Sequence, residues 1–285
     1  MRLLFLCVFL FSIAHSGIGQ QLHNELEFLN YLMNTRNYND AEVLLNNIKP
    51  DTQSEMDSVY YLTGKIHYLN QNLDLAVNEF NKLNNSLTKP IHSYSKFYNA
   101  LCKAYQGKYE SGLTDLNSLS LNDSLLINLR KLELGGIYLL QRDLKSFNDI
   151  STSYQGNYYQ TSSQEKSLML IGEDLSQRKE KSPFVAGLMS AIIPGSGRMY
   201  AGKTGMGIAT LLTTAILGLQ TWEGYDKDGI DSPRFIIFGS LFSLAYVGNI
   251  WGSVFTVKIS NNDFNKAVNN RILIDLHIPL RNIID

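Results

Sequence analysis

Residues 197–204 carry the one pattern in this sequence with an immediate chemical reading. Gly197-Arg198-Met199-Tyr200-Ala201-Gly202-Lys203-Thr204 satisfies Gly-x-x-x-x-Gly-Lys-Thr. In that arrangement backbone amides cradle phosphates, the lysine reaches the terminal ones and the hydroxyl binds magnesium. Ile272-Leu273-Ile274-Asp275 offers the apolar run and acid of a second, magnesium-side motif. A phosphate loop works between a strand and a helix of a layered α/β domain, and the elements around this one predict otherwise. The segment it opens, Thr204 to Trp222, holds no charged residue and has the length of a membrane span. Of the 285 residues, 81 follow Thr204, too few outside the uncharged stretches to build a sheet. Nucleotide binding is therefore a remote alternative. Read as a tight glycine turn, the same residues set Arg198 and Lys203 at a membrane surface and Tyr200 at the interface.

No other constellation carries chemistry. His23, His67, His92 and His277 are scattered without a partner at metal-ligand spacing. No serine sits in a nucleophile-elbow pattern. Glu25 and Glu27 read as the solvated face of a helix. The expectation is a non-enzyme without metal or cofactor. With 25 basic against 26 acidic residues, the chain lacks the clustered basic surface that binding nucleic acid requires.

The elements that position the turn fall into two regions of different character. Residues 20–181 are polar and rich in Asn, Tyr, Leu and Lys, whereas Thr204–Trp222 and Phe235–Val257 carry no charge. Ahead of both, Met1-Arg2, the apolar run Leu3 to Ile13 and the small residues of Ala14-His15-Ser16 and Gly17-Ile18-Gly19 read as a secretory signal peptide over residues 1–19. Cys7 lies inside that run. Cys102 then stands alone in the mature chain, as a small core residue.

A repeat runs through residues 20–181. Tyr38-x-x-Ala41-x-x-x-Leu45 recurs as Leu73-x-x-Ala76-x-x-x-Phe80, as Tyr109-x-x-Gly112-x-x-x-Leu116, and more loosely as Leu144-x-x-Phe147 with Ile150. Leu29, Gly64, Ala100 and Gly135 precede these units at matching positions. Small residues there let two helix backbones approach, while the aromatic or Leu one turn later fills the space beside them. The pattern resembles the tetratricopeptide repeat, with Gly64, Tyr68, Ala76 and Phe80 in register in the second unit and Phe147 departing in the fourth. The resemblance implies an all-α fold, a helical-hairpin solenoid over about residues 22–155, with Ser163 to Lys181 as its capping helix. It also implies a concave groove for protein partners. His23, Leu26, Asn30, Tyr61, Lys65, Tyr68, Tyr94, Phe97, Leu101 and Tyr105 fall there by register. The aromatics among them suit either a bound helix or the packing of adjacent repeats.

The transmembrane hairpin domain is expected over residues 182–260, with two or three membrane helices, since the piece Pro183 to Ile193 is too short to span alone. The connector Glu223 to Arg234 holds four acids and two bases, while Arg198, Lys203, Lys258, Lys266 and Arg271 lie on the opposite side. Charge thereby favours three spans for an exported N-terminus, although the run Arg178 to Lys181 argues the other way. Gly205, Ala209 and Thr213, Gly239 and Ser243, and Gly248 and Gly252 are small-residue pairs of the kind that let membrane helices approach. The segment Pro194-Gly195-Ser196-Gly197-Arg198-Met199-Tyr200-Ala201-Gly202 resembles a small transmembrane-hairpin family with Pro-Gly-x-Gly-x-x-Tyr-x-Gly ahead of a span, Arg198 standing where many relatives have Gln. Members fused to tetratricopeptide repeats occur in envelope proteins of Bacteroidota. The resemblance implies a bacterial inner-membrane protein with its repeats in the periplasm and Pro194, Gly195, Gly197, Arg198, Tyr200, Gly202 and Lys203 forming the hairpin turn and interface.

In residues 261–285, the C-terminal tail, Ile272, Ile274, Leu276, Ile278 and Leu280 alternate with their neighbours, the period of a strand that would need a partner sheet. The leading expectation is a membrane-anchored scaffold or adaptor that binds protein partners through the repeat groove. A membrane component whose hairpin itself acts, in lipid handling or complex assembly, is the second.

Overall fold

The structure, a computed structural model, describes residues 28–83 and 90–284. The signal peptide, His23 and Leu26 lie outside them. The described residues are all helical or in turns, with no strand among them. The helices are α1 (28–34), α2 (Tyr38–Asn47), α3 (Gln53–Leu69), α4 (Leu73–Lys82), α5 (Pro90–Tyr105), α6 (Tyr109–Asn117), α7 (Ser124–Gln141), α8 (Leu144–Ser151) and α9 (Ser162–Gln177). They continue as α10 (Pro183–Ile192), α11 (Ser196–Tyr200), α12 (Thr204–Asp228) and α13 (Pro233–Ile284).

Two compact units result. One comprises the chain up to Glu173 together with the stretch from Ile272 onward, and the other is Asp174–Arg271. The expected domain borders at 181/182 and 260/261 thus differ from the observed ones, and the end of the tail joins the first unit.

In the first unit each helix packs on its successor from α2 to α8. The 35-residue period reappears in the backbone. Arg36, Gln71, Gly107 and Arg142 follow every second helix, α1, α3, α5 and α7, with φ of 62°, 62°, 74° and 64°. At each, the next amide bonds back five residues: Asn37 N–H to Leu32 O, Asn72 to His67, Lys108 to Lys103 and Asp143 to Tyr138, at 2.8–2.9 Å. This left-handed stop satisfies the last carbonyls of a helix and turns the chain. At the next start, Thr52 and Glu55 form a reciprocal capping box.

Side-chain size sets how close the helices come. Ala41, Ala76 and Ala100 are wholly buried, as are the fillers Leu45 and Leu116. A Cβ on Gly64 would stand 2.6 Å from the Phe80 ring, so that ring lies directly on the α3 backbone. Phe147, the departure in the fourth unit, is accommodated by a second departure: its ring lies against Gly172 of α9. The α9 end is further fixed by buried Glu165, which accepts from Asn128 Nδ2 (2.7 Å), Thr161 Oγ1 (2.9 Å) and Gly156 N–H (2.9 Å).

Residues 272–284 are helical, not a strand. Ile272, Leu276 and Leu280 are buried whereas Ile274 and Ile278 are exposed. The period that decides is the four-residue one, because a helix can bury that stripe on neighbouring helices without needing a sheet.

On α7, Glu133 is 1% exposed and neither carboxylate oxygen has a hydrogen-bond partner. Burial pushes its carboxyl well above the usual carboxylate range. Burial likewise pushes the Cys102 thiol to about 12, with the Glu133 charge adding to it. Above pH 4.5, where the unfolded carboxyl gives up its proton, the folded one still holds it, so this group's effect on stability worsens as pH rises. Glu133→Gln, an isostere of the neutral acid, should leave the melting temperature near pH 4 almost unchanged. It should raise that temperature at pH 8, as thermal unfolding of the detergent-solubilised chain would report.

Candidate functional site

Two places bring the expected site residues together, one in each unit. In the first unit, Phe97 is wholly buried in the core. Tyr61 packs on Phe80 and Tyr98 at centroid distances of 6.2 and 6.3 Å, and Tyr68 on Tyr98 at 5.2 Å. Asn30 and Tyr105 are exposed. Lys65 and Tyr94 line a cleft of about 450 Å³ with Tyr61, Ser54, Ser58 and Ile284. The face that register assigns to partners therefore divides into packed aromatics and a residual cleft.

Part of that face is occupied by the chain itself. His277 packs on Tyr68 with ring centroids 5.8 Å apart, and its Nδ1 hydrogen-bonds the Tyr68 hydroxyl. Leu276 lies on Gly136 of α7, where a Cβ would come within 2.5 Å of its side chain. Ile284 closes one wall of the cleft. An apolar stripe at four-residue spacing, seated on a glycine and an aromatic, is how a groove holds an amphipathic helix. Gly136 was not singled out from sequence. It adjoins Gly135, whose position the repeat explains, so the second glycine was the available signal.

The second unit is built around the glycine turn. Ser182 caps α10 through its side chain, and Pro183 opens the helix, where its missing N–H costs nothing. After Ile193 the chain reverses at Gly195, φ +84°. The Gly195 N–H donates to Asn249 Oδ1 (2.9 Å), whose Nδ2 donates to Ser190 O (3.1 Å). Ser190 Oγ accepts from Gly197 N–H (2.9 Å) and bonds Ser253 Oγ (2.7 Å). The Ser182 N–H donates to Tyr200 OH at 3.1 Å, so both ends of the α10–α11 hairpin lie side by side. Every one of these groups is backbone or uncharged side chain.

Glycines permit this closeness. A Cβ on Gly207 would stand 2.6 Å from Gly195 O, and one on Gly252 2.5 Å from Arg198 Nη2. By contrast, nothing lies within 4 Å of a Cβ on Gly205 or Gly248. The stripe Gly205, Ala209 and Thr213 is exposed, so of the small residues that the spacing picked out Gly252 makes a close contact while Gly205 and Gly248 do not. Asn249, Ser190, Ser253 and Thr210 also escaped the sequence reading. Asn249 is the one amide side chain between Phe235 and Val257, which is the signal that could have marked it.

The exterior of this unit inverts the usual arrangement. Phe184, Ile192, Leu212, Ile216, Leu219, Trp222, Leu244 and Trp251 are exposed, while Ser190, Thr214, Asn249 and Ser253 are buried. Among the described residues one helix, Pro233–Ile284, is both long and apolar enough to cross a membrane. The connector side is charged, with Glu223 bonded to Lys227 (2.8 Å) and Arg234 (2.6 Å).

The Gly-Lys-Thr pattern has a geometry of its own here. Helix α10 precedes it where a phosphate loop needs a strand, and residues 196–200 form a helical turn. The Gly197 amide is already engaged by Ser190, the Lys203 N–H donates to Arg198 O (2.9 Å), and Lys203 N-caps α12. Those amides are taken up by bonds within the protein, whereas a phosphate cradle needs them free.

No family model matches the chain, and no solved structure matches it. Over 50 residues, 18% of this chain, it is 44% identical to an uncharacterised protein of Methanocaldococcus jannaschii, spanning half of that relative's length.

The tail contact makes a measurable difference. Gly136→Leu should expel Leu276 from its seat, and amide hydrogens of residues 272–284 should then exchange at least about tenfold faster, a tenfold change corresponding to roughly 1.4 kcal/mol of local opening. Unchanged exchange with a folded repeat unit would contradict the packing.

Proposed function

We propose that this chain is a membrane-anchored adaptor of the bacterial cell envelope, whose helical repeats form a solenoid that binds helical segments of other proteins. The observation that carries the reading is the inverted surface of the second unit. In water such an exterior aggregates; in lipid it is the stable one, because the polar groups are satisfied inside and the apolar ones meet acyl chains.

The connectivity supports two crossings. The chain leaves the first unit at Glu173 and rejoins it at Ile272. A compact unit lies on one side of a bilayer, so the segment between must cross an even number of times. Helices α12 and α13 supply two crossings of sufficient length. The α10–α11 hairpin, whose ends meet at Ser182 and Tyr200, enters and returns as a re-entrant element. Its reversal at Gly195 packs against Gly207 of α12 and bonds Asn249 of α13, as irregular backbone at membrane depth requires.

Orientation sets two signals against each other. With two crossings, the basic residues Lys181, Lys203 and Lys258 share a side with the repeats, which by charge alone favours the cytoplasm. The N-terminal signal acts first in synthesis, and long domains translocate regardless of their charge, so we place the repeats in the periplasm. The resident tail helix supports the groove's preference for an amphipathic helix with apolar residues four apart.

Two experiments test this. In a Cys102→Ala background, an impermeant maleimide added to spheroplasts should label Lys179→Cys, and should label Asp231→Cys only after permeabilisation. The reverse pattern would put the repeats in the cytoplasm, and simultaneous labelling of both would refute the two crossings. Replacing residues 204–257 by a foreign helical hairpin should still rescue a deletion strain if the repeats do the work. Loss of rescue, with the protein present in the membrane, would assign the activity to the native hairpin.

A further inference from the structure

Within the inverted unit the charge of Arg198 is set among apolar helices without a counter-ion among the described residues. Arg198 projects from α11, two residues before Tyr200. Its Nη1 donates to Thr210 Oγ1 of α12 at 2.7 Å. Thr210 is in turn aimed by its own bond to Met206 O at 2.8 Å. On the other side the guanidinium reaches α13, its Nη2 set in the notch left by the missing Cβ of Gly252. Its Nε is buried with no hydrogen-bond partner. Lys227–Glu223, Arg234–Glu223 and Arg234–Asp228 pair at the connector, and none of these pairs involves Arg198.

Three other cations on the side of the unit where α10 begins lie against rings. Lys181 Nζ stands 5.7 Å from the Tyr200 ring, Lys258 Nζ 5.9 Å from Phe255, and Arg178 lies over Phe264. Lys203 is exposed. Ring faces attract a cation and do not neutralise it. Around the Arg198 notch the surface is apolar, with Met206, Trp251 and Phe255 exposed.

A guanidinium at membrane depth is costly unless paired, and a fork of N–H donors matches a phosphate better than any lysine does. We propose that the Arg198 guanidinium, held between Thr210 and Gly252, is a binding site for the phosphate of an anionic phospholipid, with Lys203 and Lys181 contributing long-range attraction. This inference rests on the membrane reading above. It assigns the lipid source because the flanking apolar surface accommodates acyl chains, which a free phosphate would leave uncovered.

The test uses the full-length protein in nanodiscs and counts co-purifying lipid by native mass spectrometry. Phosphatidylglycerol should be retained over phosphatidylcholine. Arg198→Leu should weaken that retention at least about tenfold, Arg198→Lys less, because an ammonium keeps the charge and loses the fork. Thr210→Val, which removes only the aiming oxygen, should fall between, while Lys227→Ala at the connector should leave retention unchanged. Should Arg198→Leu fail to fold, Arg198→Lys and Thr210→Val still decide the matter. Equal retention of the two lipids by the native chain, or undiminished phosphatidylglycerol in folded variants, overturns the proposal. So does full displacement by millimolar inorganic phosphate, which would mean a free-anion site. A chain that stays monomeric in water without detergent would instead refute the membrane reading itself.

Discussion

The second unit depends on one constraint: each polar group at the glycine turn must find its partner inside the protein. Reversal at Gly195 leaves the Gly195 and Gly197 amides in need of side-chain acceptors. Asn249 Oδ1 and Ser190 Oγ take them up, Ser253 holding the Ser190 hydroxyl in place. An unmet buried amide costs about 1–3 kcal/mol in an aqueous protein and more in hydrocarbon. The turn can therefore sit deep in the unit only because α13 brings an amide and a hydroxyl to it. The glycines follow from the same requirement, since a Cβ on Gly207 would meet the Gly195 carbonyl and hold the helices too far apart for those bonds.

The first unit solves a different problem with related means. In water, apolar contact drives association, so small residues there serve to bring large ones into contact. Gly64 receives Phe80, Gly172 receives Phe147 and Gly136 receives Leu276. The last pairing is the one of consequence for function, because Leu276 comes from a segment far along the chain. Helix α13 thus contributes to both units, and its final turns stand where register assigns a partner. A partner of the same apolar periodicity would compete with a tethered helix, whose high effective concentration raises the affinity that partner needs.

Much of this was legible in the sequence. The 35-residue period needs only the recurrence of small and large residues, and it reappears at Arg36, Gln71, Gly107 and Arg142. Those stops were not foreseen, since three of the four are not glycine and carry no local mark of left-handed backbone. The uncharged stretches at 204–222 and 235–257 both lie within helices. The phosphate-loop pattern shows the opposite case, because eight residues specify a motif's letters while the preceding element decides what their amides can do.

What the sequence determined by itself are properties set by neighbours along the chain: helix type, repeat spacing, and the contrast between a polar region and an apolar one. Tertiary structure decided which of two compatible periods the tail adopts. Residues 272–280 read as an alternating strand, yet the structure makes them a helix, because Gly136 and Tyr68 offer a seat to its four-residue stripe. It also decided which small residues make close contacts, favouring Gly207 and Gly252 over Gly205 and Gly248, and that Arg198 meets Thr210 rather than an acid. Those outcomes depend on what lies across a helix interface, and spacing along one chain carries no record of the facing surface.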